Sequence, residues 1–364
     1  MSSKRSAYSY FVKCYMSEES NKGNKTPSFQ QLCIELSPIW NELTDEEKYK
    51  YKVLANQYNS KQVTKQPLKQ TSDLQNDSHV FWNMQKYLTK MFDCIPNNEE
   101  LFKKKFILLH INCHTQAEEK YYFPAEIAAL EFSLIDGISR TYHQVIGISK
   151  IYPRGYAGSM REFSDRFHQI MCFNEHPDDY QQILLEFSTF LKDGKINHAD
   201  LQEGTLDLPY LFTIESEVGT NIMNTKNSLD RLYSTAYPKV DAERCKSIFK
   251  IGRTEDLLLE IKKKLNLELD PQNLRSGKSI HEIIESDMYG CGLGCKFHAL
   301  REIEYKCSKT RVIQWMSNIC KYVCTNTGLS LKPGKHTATE LRDGSKMIIE
   351  NAHLPLSRED LHLN

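Results

Sequence analysis

Phe106-Ile-Leu-Leu-His-Ile-Asn-Cys113 is a short apolar run interrupted only by His110 and Asn112. At eight residues it has the length of a buried β-strand. Ala125 to Ser133 predicts a second strand and Ile138 to Ile148 a third, with turn signals at Thr115-Gln-Ala-Glu118 and Asp136-Gly137. The Asp-Gly connection makes the second and third strands antiparallel neighbours, so a three-strand meander starts this part of the chain. Upstream, apolar residues at 84, 87, 88 and 91 form a helical stripe over Val80 to Phe92. Downstream, Pro153 to Asn174 reads as irregular. Pro177-Asp178-Asp179 then opens a helix with Ile183, Leu184, Phe187, Phe190 and Leu191 on one face and Gly194 at its end. Pro209-Tyr-Leu-Phe-Thr-Ile214 predicts a fourth strand, followed by an amphipathic helix through Ile222, Leu229, Leu232 and Tyr233.

Three strands, helix, strand, helix is the element order of an RNase H-like fold, which alone confers no activity. Two-metal nucleases of that fold gather several carboxylates at strand ends, because paired divalent ions need hard oxygen ligands. The first strand has no Asp or Glu, and the second offers Glu126 and Glu131 without an Asp-x-Glu pair, so conventional two-metal chemistry is not expected. His143, His168 and His176 are candidate proton carriers near neutral pH, although such residues are more often hydrogen-bonded core or surface groups.

The composition, 40% hydrophobic and 26% charged, is that of a globular protein, and 364 residues allow about two domains. Met1-Ser-Ser-Lys-Arg lacks the apolar run of a signal peptide, and no later stretch approaches the roughly 20 apolar residues of a membrane span. Eleven cysteines without a secretory signal point to a reducing compartment, where thiols stay free or bind metal. The formal net charge of zero conceals an asymmetry. Residues 1–70 carry eleven Lys/Arg against seven Asp/Glu, and the remainder 36 against 40, which fits nucleic-acid contact at the front of the chain.

That basic stretch reads as three helices: an aromatic-rich one around Tyr8, Phe11 and Tyr15, a second through Phe29, Leu32 and Leu36 after Pro27, and a third opened by Leu43-Thr44-Asp45-Glu46-Glu47. The spacing of Lys4-Arg5, Ala7-Tyr8, Phe11, Trp40, Leu43, Glu47-Lys48, Tyr51 and Ala55 resembles an HMG box, with Ser6 where such boxes commonly carry proline. The resemblance implies binding to DNA or structured RNA. Lys4, Arg5 and Lys13 are the candidate phosphate contacts. The expected organisation is a box over 1–62, a polar linker over 63–79, a large domain over 80–332 and a poorly ordered tail over 333–364.

Cys291-Gly-Leu-Gly-Cys295-Lys-Phe-His298, followed by Cys307, is the densest cluster of soft metal ligands in the chain. Spacing alone suggests a local site of Cys291, Cys295, His298 and Cys307 wrapped by Gly290, Gly292 and Gly294, and leaves open a cysteine-rich loop without metal. Cys320 and Cys324, in an apolar helix with Ile313, Trp315 and Val323, read as core.

Together, the basic box, the linker and a domain carrying Phe123-Pro-Ala-Glu126-Ile, Tyr142-His143 and Cys295-Lys-Phe-His298 with Cys307 resemble the Maelstrom family of germline piRNA-pathway proteins, over residues 4 to about 330. The resemblance implies a zinc ion held by Glu126, Cys295, His298 and Cys307, with Cys291 a bystander. It implies an α+β chain: an HMG box followed by an RNase H-like domain with a zinc-pinned C-terminal helical segment. It also implies small-RNA-guided transposon silencing in the nucleus and cytoplasm, including perinuclear nuage, with piRNA-pathway proteins as partners and no membrane. The large domain would bind single-stranded RNA, and some members of the family cut it, so a metal-independent endoribonuclease is the rival expectation. Lys103 to Lys105, Lys150, Arg154, Arg161 and Arg166, near Tyr152, Tyr156, Phe163 and Phe167, are the candidate RNA contacts.

Overall fold

The computed structural model describes residues 8, 11, 12, 15, 16, 31, 32, 35–43, 48 and 51 near the N-terminus. Beyond these it describes 84–117, 121–148, 157–171, 176–215, 222–241, 245, 247–267, 280–286, 293–340 and 346–348. The chain divides into two compact units, Met1–Ser78 and His79–Asn364. In the first, Phe11, Val12, Leu32 and Leu36 are buried, and Tyr8, Trp40, Leu43 and Tyr51 pack on them. Trp40 lies on α1 (Ser37–Glu42), with its ring centroid 5.3 Å from that of Phe11. Lys4, Arg5, Lys13 and the expected linker lie outside the described residues.

The second unit is built on the predicted meander. Helical residues 84–93 (α2) and Asn98–Lys103 (α3) lead into β1 (Phe106–Ala117), β2 (Tyr121–Ser133) and β3 (Gly137–Val145). There follow α4 (Ala157–Phe167), α5 (Tyr180–Lys192), α6 (His198–Glu203), β4 (Tyr210–Thr213), α7 (Ile222–Ala236), β5 (Lys250–Arg253) and α8 (Thr254–Lys264). The C-terminal part carries α9 (Ile280–Ile284), α10 (Lys296–Ala299), α11 (Ser308–Thr327) and a small ribbon of β6 (Thr339–Glu340) and β7 (Lys346–Met347). The main sheet has the order β3-β2-β1-β4-β5, antiparallel across β3, β2 and β1 and parallel from β1 through β4 to β5.

Period-two alternation along β1 explains the layering. Ile107, Leu109 and Ile111 join one core with Ile183, Phe187, Leu229 and Tyr233 from α5 and α7. Phe106 and Leu108 join another with Leu88, Leu258, Trp315 and Ile319 from α2, α8 and α11. Helices therefore cover both faces of the sheet, as parallel pairing requires. Cys320 and Cys324 are buried in α11, as read from the sequence. The helix after Asp179 also forms as read, its first turn capped by the Asp179 side chain accepting from the Gln182 N–H at 3.1 Å.

Three expectations change. The stretch from 153 to 174 is not wholly irregular, because α4 occupies Ala157–Phe167 and packs Met160 into the core. The strand β5 and the helix α8 add to the expected order. The tail expected from 333 begins as packed structure: His336 is buried, its Nε2 donates to the Leu134 carbonyl, and the Ile138 N–H donates to the Lys335 carbonyl at 2.9 Å. Gly137, at φ +70°, makes this approach possible, since a Cβ there would stand 2.4 Å from the Lys335 oxygen.

Candidate metal centre

The apolar alternation of β1 breaks in its second half, where the face that carries Leu108 continues as His110, Asn112 and His114, all buried. Asn112 pairs with Glu126 of β2, just before a register shift at Asn112/Cys113. A fully buried carboxylate is costly unless its oxygens are partnered, and here both are. Oε2 accepts from Asn112 Nδ2 at 2.8 Å and from the Ser308 backbone N–H at 2.9 Å, while Oε1 lies 2.6 Å from His143 Nε2 on β3.

Three further side chains come from the C-terminal segment. Cys295 precedes α10, His298 lies within it, and Cys307 immediately precedes α11. Gly294, just before Cys295, permits the close approach of this stretch to Glu304, because a Cβ there would meet Glu304 Cγ at 2.6 Å. His298 Nε2 donates to the His168 carbonyl at 2.9 Å, which leaves Nδ1 as the lone-pair nitrogen. Nδ1 stands 3.1 Å from Cys295 Sγ and 3.5 Å from Glu126 Oε1, and Cys307 Sγ is 3.2 Å from that same oxygen. The four ligand atoms of Glu126, Cys295, His298 and Cys307 all lie within 4.8 Å of one another, and all four residues are buried.

Two thiols, one imidazole and one carboxylate converging in a dry pocket suit a borderline-soft dication. The outer partners are those a metal site needs: a backbone carbonyl holds the histidine, and an amide and a backbone N–H hold the carboxylate. Burial pushes the Cys307 thiol up to about 12, with Cys295 and the Glu126 charge acting the same way. Burial opposes ionisation of Glu126, but the His143 hydrogen bond and the nearby imidazoles hold its carboxyl below the usual range. Burial likewise opposes the charged form of His143, yet its hydrogen bonds to Cys307 and Glu126 prevail and lift it to about 10. A dication supplies the positive charge that would turn both thiols into thiolates.

The remaining candidates are dispersed. His168 is a satisfied core group, donating from Nε2 to the Cys113 carbonyl at 2.9 Å and accepting the Ile170 N–H on Nδ1 at 3.0 Å. Arg161 and Arg166 are exposed on α4, and the Arg166 guanidinium lies 5.0 Å from the Phe167 ring centroid. Lys103 pairs with Glu99 and Lys105 with Glu131, at the opposite end of β1 from α4. Lys150, Tyr152, Arg154, Tyr156 and Cys291 lie outside the described residues. His143 is the participant that sequence reasoning did not connect to the centre; only the pairing of β2 with β3 brings it to Glu126.

Fold and site together define a mixed α/β domain in which a buried Glu/Cys/His/Cys cluster joins the central sheet to a late C-terminal segment. The family model described as "Maelstrom: piRNA pathway germ-plasm component" matches residues 115–341, more than half of the chain, and the chain belongs to the Maelstrom family. It is 22% identical over 349 residues to the protein maelstrom homolog of Culex quinquefasciatus, covering 90% of this chain and 64% of that relative. It is 21% identical over 362 residues to protein maelstrom of Drosophila erecta, covering 96% of this chain and 74% of the relative. The chain thus spans just under two thirds of the length of the mosquito protein.

Proposed function

We propose that this protein acts in the germline piRNA pathway as a nucleic-acid-binding component of transposon silencing, working in the nucleus and in perinuclear nuage. The observation that carries the reading is that all four donors of the buried cluster fall inside the stretch matching the Maelstrom family. The metal is zinc in a structural role, because four protein donors leave no position for a reactive water. The sheet order β3-β2-β1-β4-β5 supports an RNase H-like domain over 80–332. The aromatic cluster of Phe11, Trp40 and Tyr51 is compatible with an HMG box over 1–62 that contacts DNA or structured RNA through Lys4, Arg5 and Lys13. Single-stranded RNA is bound by the large domain. Exposed Arg161 and Arg166 support this, being carried beside Phe163 and Phe167 on a helix whose C-terminal end hydrogen-bonds to the centre through the His168 carbonyl.

The test uses the full-length protein, labelled single-stranded RNA and a salt titration. The reading predicts binding that weakens steeply with salt, that drops when Arg161 and Arg166 are both replaced by Glu, and that leaves the RNA intact in the presence of EDTA. Repurified protein that cleaves the RNA in EDTA would favour an endoribonuclease instead. An absence of RNA affinity at physiological salt would leave a protein-binding scaffold.

A further inference from the structure

Glu126 Oε1 is the oxygen that faces Cys307 Sγ and His298 Nδ1, and it is also the oxygen that His143 Nε2 approaches to 2.6 Å. In a tetrahedral site with bonds of about 2.1 Å to O and N and about 2.3 Å to S, two ligand atoms stand about 3.4–3.6 Å apart. The Cys307–Glu126 and Glu126–His298 separations of 3.2 and 3.5 Å lie near that edge length. The Glu126–His143 separation does not; it is the length of a short hydrogen bond. The two side chains therefore cannot ligate the same ion together in that arrangement. His143 Nε2 is nevertheless 4.0 Å from Cys307 Sγ, within about half an ångström of the edge length expected for two ligands of one metal.

The placement of His143 is fixed by the sheet. Glu126 pairs with Val145 and Ala128 with His143 across antiparallel β2 and β3, so Glu126 and His143 are diagonal neighbours on one face. Glu126 keeps its position through Oε2, held by Asn112 and the Ser308 N–H, independently of the metal-facing oxygen. The centre thus presents five donors for four places.

Building on the metal reading above, we propose that His143 and Glu126 share one coordination position: His143 aims the carboxylate at the metal by hydrogen bonding, and its Nε2 becomes the fourth ligand when the carboxylate is removed. Glu126 is the occupant of that position in the native protein. Without it, the site converts from two thiolates, one imidazole and one carboxylate to two thiolates and two imidazoles, which is an equally common zinc set.

The test compares full-length wild type, E126A, E126Q, H143A, E126A/H143A and C307S. Zinc per chain is measured after gel filtration, zinc affinity by competition with a chromophoric chelator, and the ligand field from the visible spectrum with cobalt(II) in place of zinc. The expected result is that E126A and E126Q keep one zinc per chain and show a tetrahedral cobalt spectrum displaced to shorter wavelength, because nitrogen replaces oxygen. H143A alone should bind about 10–100-fold more weakly, as for loss of an outer-shell partner, with the spectral position of the wild type. E126A/H143A should lose zinc on gel filtration. The isosteric E126Q serves if E126A does not fold. The proposal is overturned if E126A and E126Q lose zinc as completely as C307S, or if E126A and E126A/H143A bind alike with the same spectrum. Retention of full affinity by C307S would instead overturn the four-donor centre itself.

Discussion

Ser308 and Glu126 are 182 positions apart in the chain, yet the Ser308 backbone N–H donates to Glu126 Oε2 at 2.9 Å. Ser308 is the first residue of the 20-residue helix α11, so the carboxylate receives one of the N–H groups that a helix start leaves unpaired, at the positive end of the helix dipole. The Ser308 hydroxyl serves a separate partner, lying 2.9 Å from His110 Nδ1.

Those two roles separate by mutation. Proline is tolerated at a first helical position, so S308P should keep α11 while removing both the N–H to the carboxylate and the hydroxyl, and should cost about 1.5–3 kcal/mol more than S308A, the range for a hydrogen bond to a charged group. S308A removes only the hydroxyl and should cost about 0.5–1.5 kcal/mol. Denaturant melts of the two variants check the order. A loss in S308P no greater than in S308A would mean that the helix start does little for Glu126.

Metal removal should act on stability directly. A ligand held at 100 times its dissociation constant stabilises by about 2.7 kcal/mol. For a unit of this size that corresponds to a fall of roughly 5–10 °C in melting temperature on chelation. Calorimetry with and without a chelator, with C295S as the control that should be insensitive to it, provides the measurement.

Three histidines set the acid limit. Burial holds His110 down to about 3, His114 to about 4 and His168 to about 3. Each is neutral when folded and takes up a proton on unfolding below its ordinary value near 6.5, so the unfolded state binds more protons as the pH falls. The stability involved is present above pH 6.5 and is lost on acidification at about 1.4 kcal/mol per pH unit per histidine. The depressed Glu126 adds its loss only below about pH 4.5. The raised His143 contributes stability that is lost in the opposite direction, as the pH rises past its folded value of about 10. Thermal melts should therefore show a steep decline between pH 6.5 and 4.5, and a flat profile there would mean that the three rings protonate without unfolding.

Gly137→Ala should cost about 2–3 kcal/mol, combining a left-handed backbone with a Cβ that meets the Lys335 carbonyl at 2.4 Å. The same change should detach the segment around His336, seen as faster hydrogen exchange at the Ile138 N–H, which donates to Lys335. Unchanged exchange with lowered stability would place the strain in the turn alone.

The sequence announces the elements whose pattern is local. Phe106 to Cys113 declares a strand by its apolar run, and Asp179 to Leu191 a helix by its cap and stripe. Four-residue β5, Lys-Ile-Gly-Arg, carries no such pattern and exists because β4 offers it a parallel partner. Helix α4 hides among glycine and charged residues and gains its place by burying Met160. In the centre, local spacing ranks Cys291 with Cys295, His298 and Cys307, whereas the carboxylate of Glu126 is contributed from 181 residues before Cys307. Family resemblance supplies that carboxylate, but the contact from His143 requires the register of β2 on β3.

The same separation has a consequence in time. During synthesis at about 5–20 residues per second, Glu126 emerges roughly 10–40 seconds before Cys307. Throughout that interval β1 and β2 present His110, Asn112 and Glu126 on an otherwise apolar face that α11 has not yet covered. The meander can pair early, but it cannot close until α11 leaves the ribosome, so a chain stalled or truncated before α11 keeps an open sheet with an unclaimed carboxylate. A metal bound by the Glu126, Cys295, His298 and Cys307 donors would thus act on the same late step as the emergence of α11.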